Sequence, residues 1–467
     1  METSSNKLLV VNRGEIACRV LRAAKSLGLP TVAVYSEADT DLPHVALADE
    51  AYPIGPARAA ESYLQRARLL EVARQSGARL VHPGYGFLSE NAEFAADCAR
   101  AGLVFVGPAP EVITAMGDKE QARRTAAAAG VPVLPGSDKL ADDPAEIARI
   151  AQNVGFPLLV KASAGGGGIG MRQVDAPDAL VAAVQATSSM ALKAFGDGAV
   201  YLERMVPRAR HVEVQVFGFG DGKAVHLFER DCSLQRRHQK VIEEARAPAL
   251  QADVAERMAA AAVRLCAASR YAGAGTVEFL LDADTQAFYF LEMNTRIQVE
   301  HPVTEMLTGI DLVAAQLRLA LGDATLRREL TQQAITAQGH AIEARVYAEN
   351  PARNFLPSPG PLRTLELPGG EGVRVECGYR QGNAITPFYD PMLMKVIAHG
   401  GNRAEAIERL DAALARLRVE GIVHNVPYLR ACLRHPEFVR GAVYTGLLAR
   451  HHAELVASAQ ALTENAP

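Results

Sequence analysis

The sequence predicts an α/β region with a parallel sheet, followed by α+β regions that mix antiparallel strands with helices. Three observations carry this. Short apolar strands alternate with amphipathic helices over the first hundred residues or so. Two later apolar runs, Thr276 to Leu281 and Ala287 to Leu291, flank the turn-rich Asp282 to Thr285 and read as a hairpin. A length of 467 residues exceeds one ordinary core, so two to four domains are expected.

The elements follow in order. Leu8 to Val11 is a strand, and Asn12-Arg13-Gly14-Glu15 turns it into a helix with the apolar stripe Ile16, Val20, Ala24 and Leu27. Gly28 and Pro30 stop that helix. Thr31 to Tyr35, Leu80-Val81 and Leu103 to Val106 are further strands, with a helix from Asn91 to Arg100. Such a βαβ series calls for parallel pairing with crossover helices. Met116 to Ala129 reads as one helix, closed by Gly130-Val131-Pro132. Phe156 to Lys161 and Ala199 to Met205 are strands, and His211 to Phe217 alternates like a half-exposed one. After Gln338 come the strand His340 to Tyr347, a proline-rich loop at Pro357 to Pro361 and a helix from Ala404 to Leu417. The tail beyond about Val456 is polar and expected to fray.

Composition excludes several classes. Hydrophobic content of 49% with 22% charged residues is that of a soluble globular chain. A formal charge of −4 argues against a general nucleic-acid binder. No apolar stretch reaches membrane-spanning length, and the first residues lack a signal-peptide pattern. The scattered cysteines Cys18, Cys98, Cys232, Cys266, Cys377 and Cys432 form no C-x-x-C pair, which disfavours structural zinc and disulfides and fits a reducing cytoplasm.

The densest chemistry is Glu292-Met293-Asn294-Thr295-Arg296-Ile297-Gln298-Val299-Glu300-His301. Such a polar cluster at the end of a buried strand is costly unless its groups meet a ligand, a metal or each other. Glu292 and Asn294 point the same way on a strand. If the hairpin pairs as expected, Glu278 lies opposite Glu292, and two facing carboxylates ask for a cation between them. A few hard oxygen ligands suit Mg2+ completed by water and phosphate oxygens.

Other segments add to this. Lys161 precedes Gly165-Gly166-Gly167-Gly168, a run that packs nothing but can lay N–H groups along phosphates or close as a lid. It is not a Walker A loop. The turn His82 to Asn91 lies at a strand end, where open α/β sheets present ligand groups; Ser89 or Asn91 could equally cap a helix. Glu229 to Lys240 reads as a cationic loop suited to polyphosphate, unless Glu243-Glu244 neutralise it. Cys232 reads as a packed small residue rather than a catalytic thiol. His211 and Glu213 share one strand face, and His451-His452 reads as a surface pair.

Taken together, these segments resemble biotin carboxylase, an ATP-grasp enzyme, from about Lys7 to His451. The resemblance rests on Asn12 to Ala17, His82 to Asn91, Met116-Gly117-Asp118-Lys119, the glycine run, Arg230 to Lys240, and Glu292 to Thr304. It implies a Rossmann-like N-terminal domain over 1–115 and an ATP-grasp domain over 116–330 with a lid at about 133–204. A C-terminal mixed α+β domain over 331–450 and a polar tail over 451–467 complete the chain. It further implies nucleotide contacts at Lys119, Lys161, Glu203, His211, Gln235 and His238, with Lys161 on phosphate and Glu203 near adenine. The metal ligands, for Mg2+ or Mn2+, would be Glu278, Glu292 and Asn294. Lys240, Arg296, Gln298 and Val299 match the bicarbonate pocket, Glu300 the general base, and Arg345 the arginine facing the biotin ring oxygen.

The implied reaction carboxylates biotin through carboxyphosphate, the first half-reaction of an acetyl-CoA or other acyl-CoA carboxylase, as in fatty acid biosynthesis. No Ala-Met-Lys-Met sequence occurs, so the biotin is expected on a biotin carboxyl carrier protein, with a carboxyltransferase subunit as further partner, or the chain is a fragment of a longer subunit. A homodimer is the default expectation for the family. Ile169 stands where the family commonly has Lys or Arg. Two other readings stay open: a different ATP-grasp carboxylate–amine ligase, and a catalytically silent nucleotide-binding subunit.

Overall fold

A computed structural model describes residues 6–162, 171–195, 197–237 and 239–464. The glycine run Gly165 to Gly168, Ile169 and His238 lie outside the described residues.

The N-terminal region is the expected βαβ series. Strands β1 (Leu8–Val10), β2 (Thr31–Tyr35), β3 (Glu50–Pro53), β4 (Leu80–His82) and β5 (Val104–Phe105) form a parallel sheet in the order β3-β2-β1-β4-β5. The order reverses beside β1, and the turns after β1 and β4 open from the carboxyl ends of adjacent strands, where such sheets place ligands. The helix Gly14–Ser26 starts at once after β1. Gly14 has φ +64°, a backbone setting open to glycine at little steric cost.

The stretch expected as one helix from Met116 is two: Pro110–Gly117 and Lys119–Ala128. Asp118 breaks it, because its carboxylate accepts from the Gln121 N–H at 2.8 Å and caps the second helix. Next, β6 (Leu158–Ala162), β7 (Met171–Val174) and β8 (Val200–Arg204) make a small antiparallel sheet.

The centre of the molecule is one eight-stranded antiparallel sheet. It begins with β13 (Phe288–Asn294), β12 (Ala272–Asp282), β9 (Ala209–Phe219), β10 (Ala224–Arg236), β11 (Gln239–Ala245) and β14 (His340–Tyr347), in that spatial order. It ends with the strands Met392–Gly400 and Val373–Cys377. One ladder therefore runs from the ATP-grasp-like region into the C-terminal region, and a rigid sheet underlies groups far apart in sequence.

Two expectations fail here. Arg210–Gly218 of β9 is buried on both faces rather than half-exposed. One face packs on the helix Ala252–Ala268, and the other turns His211, Glu213 and Gln215 into a buried polar network. Glu229 to Lys240 is no loop but the β10–β11 hairpin. Charges can occupy these strands because opposite charges receive them: Arg230 meets Glu213 at 2.5 Å, and the Arg236 guanidinium grips Glu349.

The described part of the tail, to Glu464, is helical. The helix His452–Glu464 buries Leu455 and Ala459 and joins the C-terminal core. His452 is half-buried and packs its ring 5.3 Å from Phe355 and 5.9 Å from Tyr428, centroid to centroid. The polarity of this segment belongs to the helix's outer face.

Candidate active site

The β12–β13 hairpin places Glu278 directly opposite Glu292. Glu292 and Asn294 share a face, and the Asn294 amide donates to the Glu292 carboxylate at 3.0 Å. The chain then leaves the sheet. Arg296 donates to Glu90 at 2.9 Å and to the Gln298 side chain at 3.0 Å. The Gln298 amide donates to Asn294 and, at 3.2 Å, to Glu278. The Val299 carbonyl accepts from Lys395 at 2.7 Å. Glu300 closes the turn before the helix His301–Thr308 and has no exposed surface.

Lys240, near the start of β11, is the hub of the charge network. Its ammonium lies 2.7 Å from Glu213, 3.0 Å from Glu278 and 2.5 Å from Glu300. Arg345 reaches the other oxygen of Glu300 at 3.0 Å. Burial alone would lift the Glu300 carboxyl, but Lys240, Arg345 and Arg230 outweigh it and hold the group well below the usual carboxylate range. Glu278 is likewise held low, with Lys240 and His211 outweighing its burial. Buried ion pairs of this density add little net stability, so their geometry calls for a use beyond holding the fold.

These groups surround a cavity of about 700 Å³. Its walls include His211, Lys240, Glu278, Glu292, Asn294, Arg296, Gln298, Val299 and Arg345 from the sheet side. Asn12 to Ile16 and Tyr85 to Phe87 come from the N-terminal turns, and Tyr379, Phe388 and Tyr389 from the C-terminal region. The His82–Asn91 turn serves both purposes left open above. Asn91 caps the following helix, and Glu90 with Tyr85 faces the site. A second cavity of about 730 Å³ shares His211 as a common wall. Apolar Leu280, Leu291, Phe355 and Leu448 line it, together with Gln235, which hydrogen-bonds His211 at 2.8 Å. A mostly apolar cavity that shares a wall with a charged chamber suits the base and the phosphates of a nucleotide.

Most of the residues singled out in the sequence thus converge. Lys161 and Glu203 contact each other across β6 and β8. Lys119 opens its helix with an exposed side chain and lines neither cavity. Sequence reasoning missed Glu15 and Tyr389 as cavity-lining residues, and Glu243, Glu343 and Lys395 as buried charges behind the cavity. The signal for Lys395 was a lone lysine in the apolar run Met392 to Ala398, and for Glu343 a charge alternating with Arg345 inside a buried strand.

The donor set suits a hard divalent cation: two carboxylates on facing strands, an amide oxygen beside them, and an open side toward the cavity. Among the described residues, Glu292 pairs with no cationic side chain, so its charge is available to a metal.

A parallel Rossmann-like sheet, an antiparallel sheet bearing opposed carboxylates, and an apolar cavity beside a charged one are the features of an ATP-dependent ligase of ATP-grasp type. Comparison with known proteins agrees. The description "Biotin carboxylase, N-terminal domain" matches residues 4–113, "Carbamoyl-phosphate synthase L chain, ATP binding domain" residues 118–328, and "Biotin carboxylase C-terminal domain" residues 343–450. The chain is 49% identical to Biotin carboxylase 2 of Bacillus subtilis, over 95% of this chain and 99% of that one. It is 48% identical to the mitochondrial methylcrotonoyl-CoA carboxylase subunit alpha of Mus musculus, over 97% of this chain but only 63% of that one. Among solved structures, it resembles the biotin carboxylase domain dimer of Hydrogenobacter thermophilus 2-oxoglutarate carboxylase, in complex with MgADP, ADP and bicarbonate. That match has a TM-score of 0.85 and 42% identity, and covers 96% of this chain and 98% of that one. The chain belongs to the biotin carboxylase family.

Proposed function

We propose that this chain uses ATP to activate bicarbonate and then carboxylates biotin borne by a separate carrier protein. The observation that carries the reading is Glu300, fully buried directly behind Lys240 and Arg345, two residues that line the cavity.

ATP would lie with its base in the apolar slot beside His211 and Gln235. Its phosphates would extend toward Lys161 and the glycine run, with Glu203 on the adenine side, as the family resemblance implies. Glu278, Glu292 and Asn294 would hold Mg2+ or Mn2+, which would neutralise phosphate charge there. Arg296 offers bicarbonate a planar fork, Gln298 and the Val299 segment fix its orientation, and Lys240 supplies a second positive charge.

Glu300 takes the bicarbonate proton as the bicarbonate oxygen attacks the γ-phosphorus, giving carboxyphosphate and ADP. A carboxylate held so far below its usual range is a poor base. An anion seated on Lys240 and Arg296 would engage those cations and raise the basicity of Glu300, so substrate binding itself prepares the base. Carboxyphosphate then separates into CO2 and phosphate. Phosphate takes the ureido N1 proton of biotin, the nitrogen attacks CO2, and Arg345 stabilises the negative charge on the ring oxygen.

The finer points are proposals as well. Domain limits are placed at about 115 and 330, with a lid at about 133–204 and the last domain at 331–450. A homodimer, a carboxyltransferase subunit as further partner and a cytoplasmic setting fit this class of enzyme; among the described residues no helix is long and apolar enough to cross a membrane. The relatives differ in the acceptor their names carry, so the acceptor is assigned to another subunit. ATP cleavage that requires bicarbonate and rises with free biotin tests the reading. Cleavage that instead requires an amine acceptor overturns it.

A further inference from the structure

Glu243 on β11 and Glu343 on β14 are directly opposite partners in the antiparallel ladder. Neither has any exposed surface. Among the described residues, none of their carboxylate oxygens takes a hydrogen bond. Facing carboxylates are an arrangement that sheets avoid, and the one ion pair here, Arg345 with Glu243, leaves Glu343 with no cation in contact among the described residues.

Charged and titratable groups approach the pair from every packed element. Lys240 stands on β11, Arg345 and Tyr347 on β14, Lys395 on the strand Met392–Gly400, and Cys232 on β10. Glu300 comes from the turn before its helix, and Tyr85 from the N-terminal region. The three cations are already engaged. Lys240 serves Glu213, Glu278 and Glu300. Lys395 serves the Val299 carbonyl and, at 3.2 Å, Glu15. One Arg345 nitrogen serves both an ion pair with Glu243 and a hydrogen bond to Glu300 at 3.0 Å, so its charge is already divided. Carboxylates therefore outnumber the cations able to balance them, and two like charges this close and this dry cannot both persist.

We propose that Glu243 and Glu343 share a proton, and that this proton positions Arg345, leaving its guanidinium with Glu300 and the cavity rather than with a doubly charged pair behind it. Burial lifts Glu243 above the ordinary carboxylate range against the pull of Arg345, and lifts Glu343 against Lys395, with repulsion from Glu243 adding to the second. When the proton leaves at alkaline pH, the pair competes with Glu300 and with biotin for Arg345. This inference rests on the reading of Arg345 as the group that meets biotin. Glu243 and Glu343 touch no substrate and act through Arg345 alone.

Two measurements on the whole chain test it. The first follows the KM for free biotin across neutral to alkaline pH in the wild type, Glu343→Gln and Glu343→Asp. The amide cannot ionise, so Glu343→Gln should suppress an alkaline rise in KM that the wild type shows, by about tenfold at a pH one unit above the midpoint. Its turnover at the acid end should stay within about threefold, and Glu343→Asp should restore the alkaline rise. Superimposable profiles overturn the positioning role. The second measurement is infrared spectroscopy in D2O, which needs no turnover. A protonated-carboxyl band at neutral pH that disappears in Glu343→Gln supports the shared proton, and its absence from the wild type overturns it. If that band is present in a chain that does not turn over biotin, the functional reading fails while the shared proton stands.

Discussion

The Lys240 ammonium stands 2.5 Å from Glu300, and the other oxygen of that carboxylate accepts from Arg345 at 3.0 Å. A proton acceptor clamped between two cations is fully ionised and fixed in place, while bicarbonate can draw on one of those cations. Glu300→Gln keeps the shape and removes the base. Bicarbonate-dependent ATP cleavage should fall by about 10²–10⁴-fold, while nucleotide affinity measured by calorimetry should hold. Unaltered turnover in this variant removes Glu300 from the mechanism.

Lys240 also neutralises Glu213 and Glu278. Lys240→Gln leaves three buried carboxylates short of a cation. The loss of stability should be about 3–5 kcal/mol, read from the urea midpoint. A wild-type midpoint would mean that the network relaxes or takes up protons instead.

Chelation tests the carboxylate hairpin. Removing divalent cations should abolish ATP cleavage, and Mg2+ or Mn2+ should restore it. Glu292→Gln should raise the cation concentration needed for half activity by about tenfold or more, with the fold intact by circular dichroism. An unchanged requirement would move the metal away from Glu292.

His82 provides a pH dependence apart from catalysis. It is buried at the end of β4, where its Nδ1 accepts from the Gly84 N–H at 3.0 Å. Burial pushes its pKa from 6.5 down to about 3. The neutral ring is favoured in the fold, so its stabilisation is complete above pH 6.5 and is lost as pH falls toward about 3. Thermal melts of His82→Asn should therefore show a shallower acid decline than the wild type over that window. Parallel declines would exclude His82 as a source of acid sensitivity.

Much of the fold was legible locally. The helix Gly14–Ser26, the Asn91 cap and the register of Glu278 against Glu292 follow from periodicity, capping chemistry and one turn. What misled was charge in strands. Arg230 and Arg236 read as part of a cationic loop because their partners, Glu213 and Glu349, lie at distant sequence positions. The Asp118 break was hidden for a different reason: two helices in series keep a nearly continuous apolar pattern, and only the cap separates them. In the site, the Glu292 to Glu300 cluster announced itself by its cost in a buried strand. Glu343 and Lys395 did not, since each is a single charge inside an apolar strand, and their meaning appears only when β14 pairs with Met392–Gly400.

The proposed reaction moves a carboxyl group from bicarbonate to biotin at the expense of ATP. The direct measurement is transfer of label from radioactive bicarbonate to free biotin by the purified chain with Mg2+ and ATP. The account predicts acid-labile labelled carboxybiotin that forms only when ATP is present and is largely lost in Glu300→Gln. Labelled biotin formed without ATP, or ATP cleavage with no label reaching biotin under any condition, would contradict it.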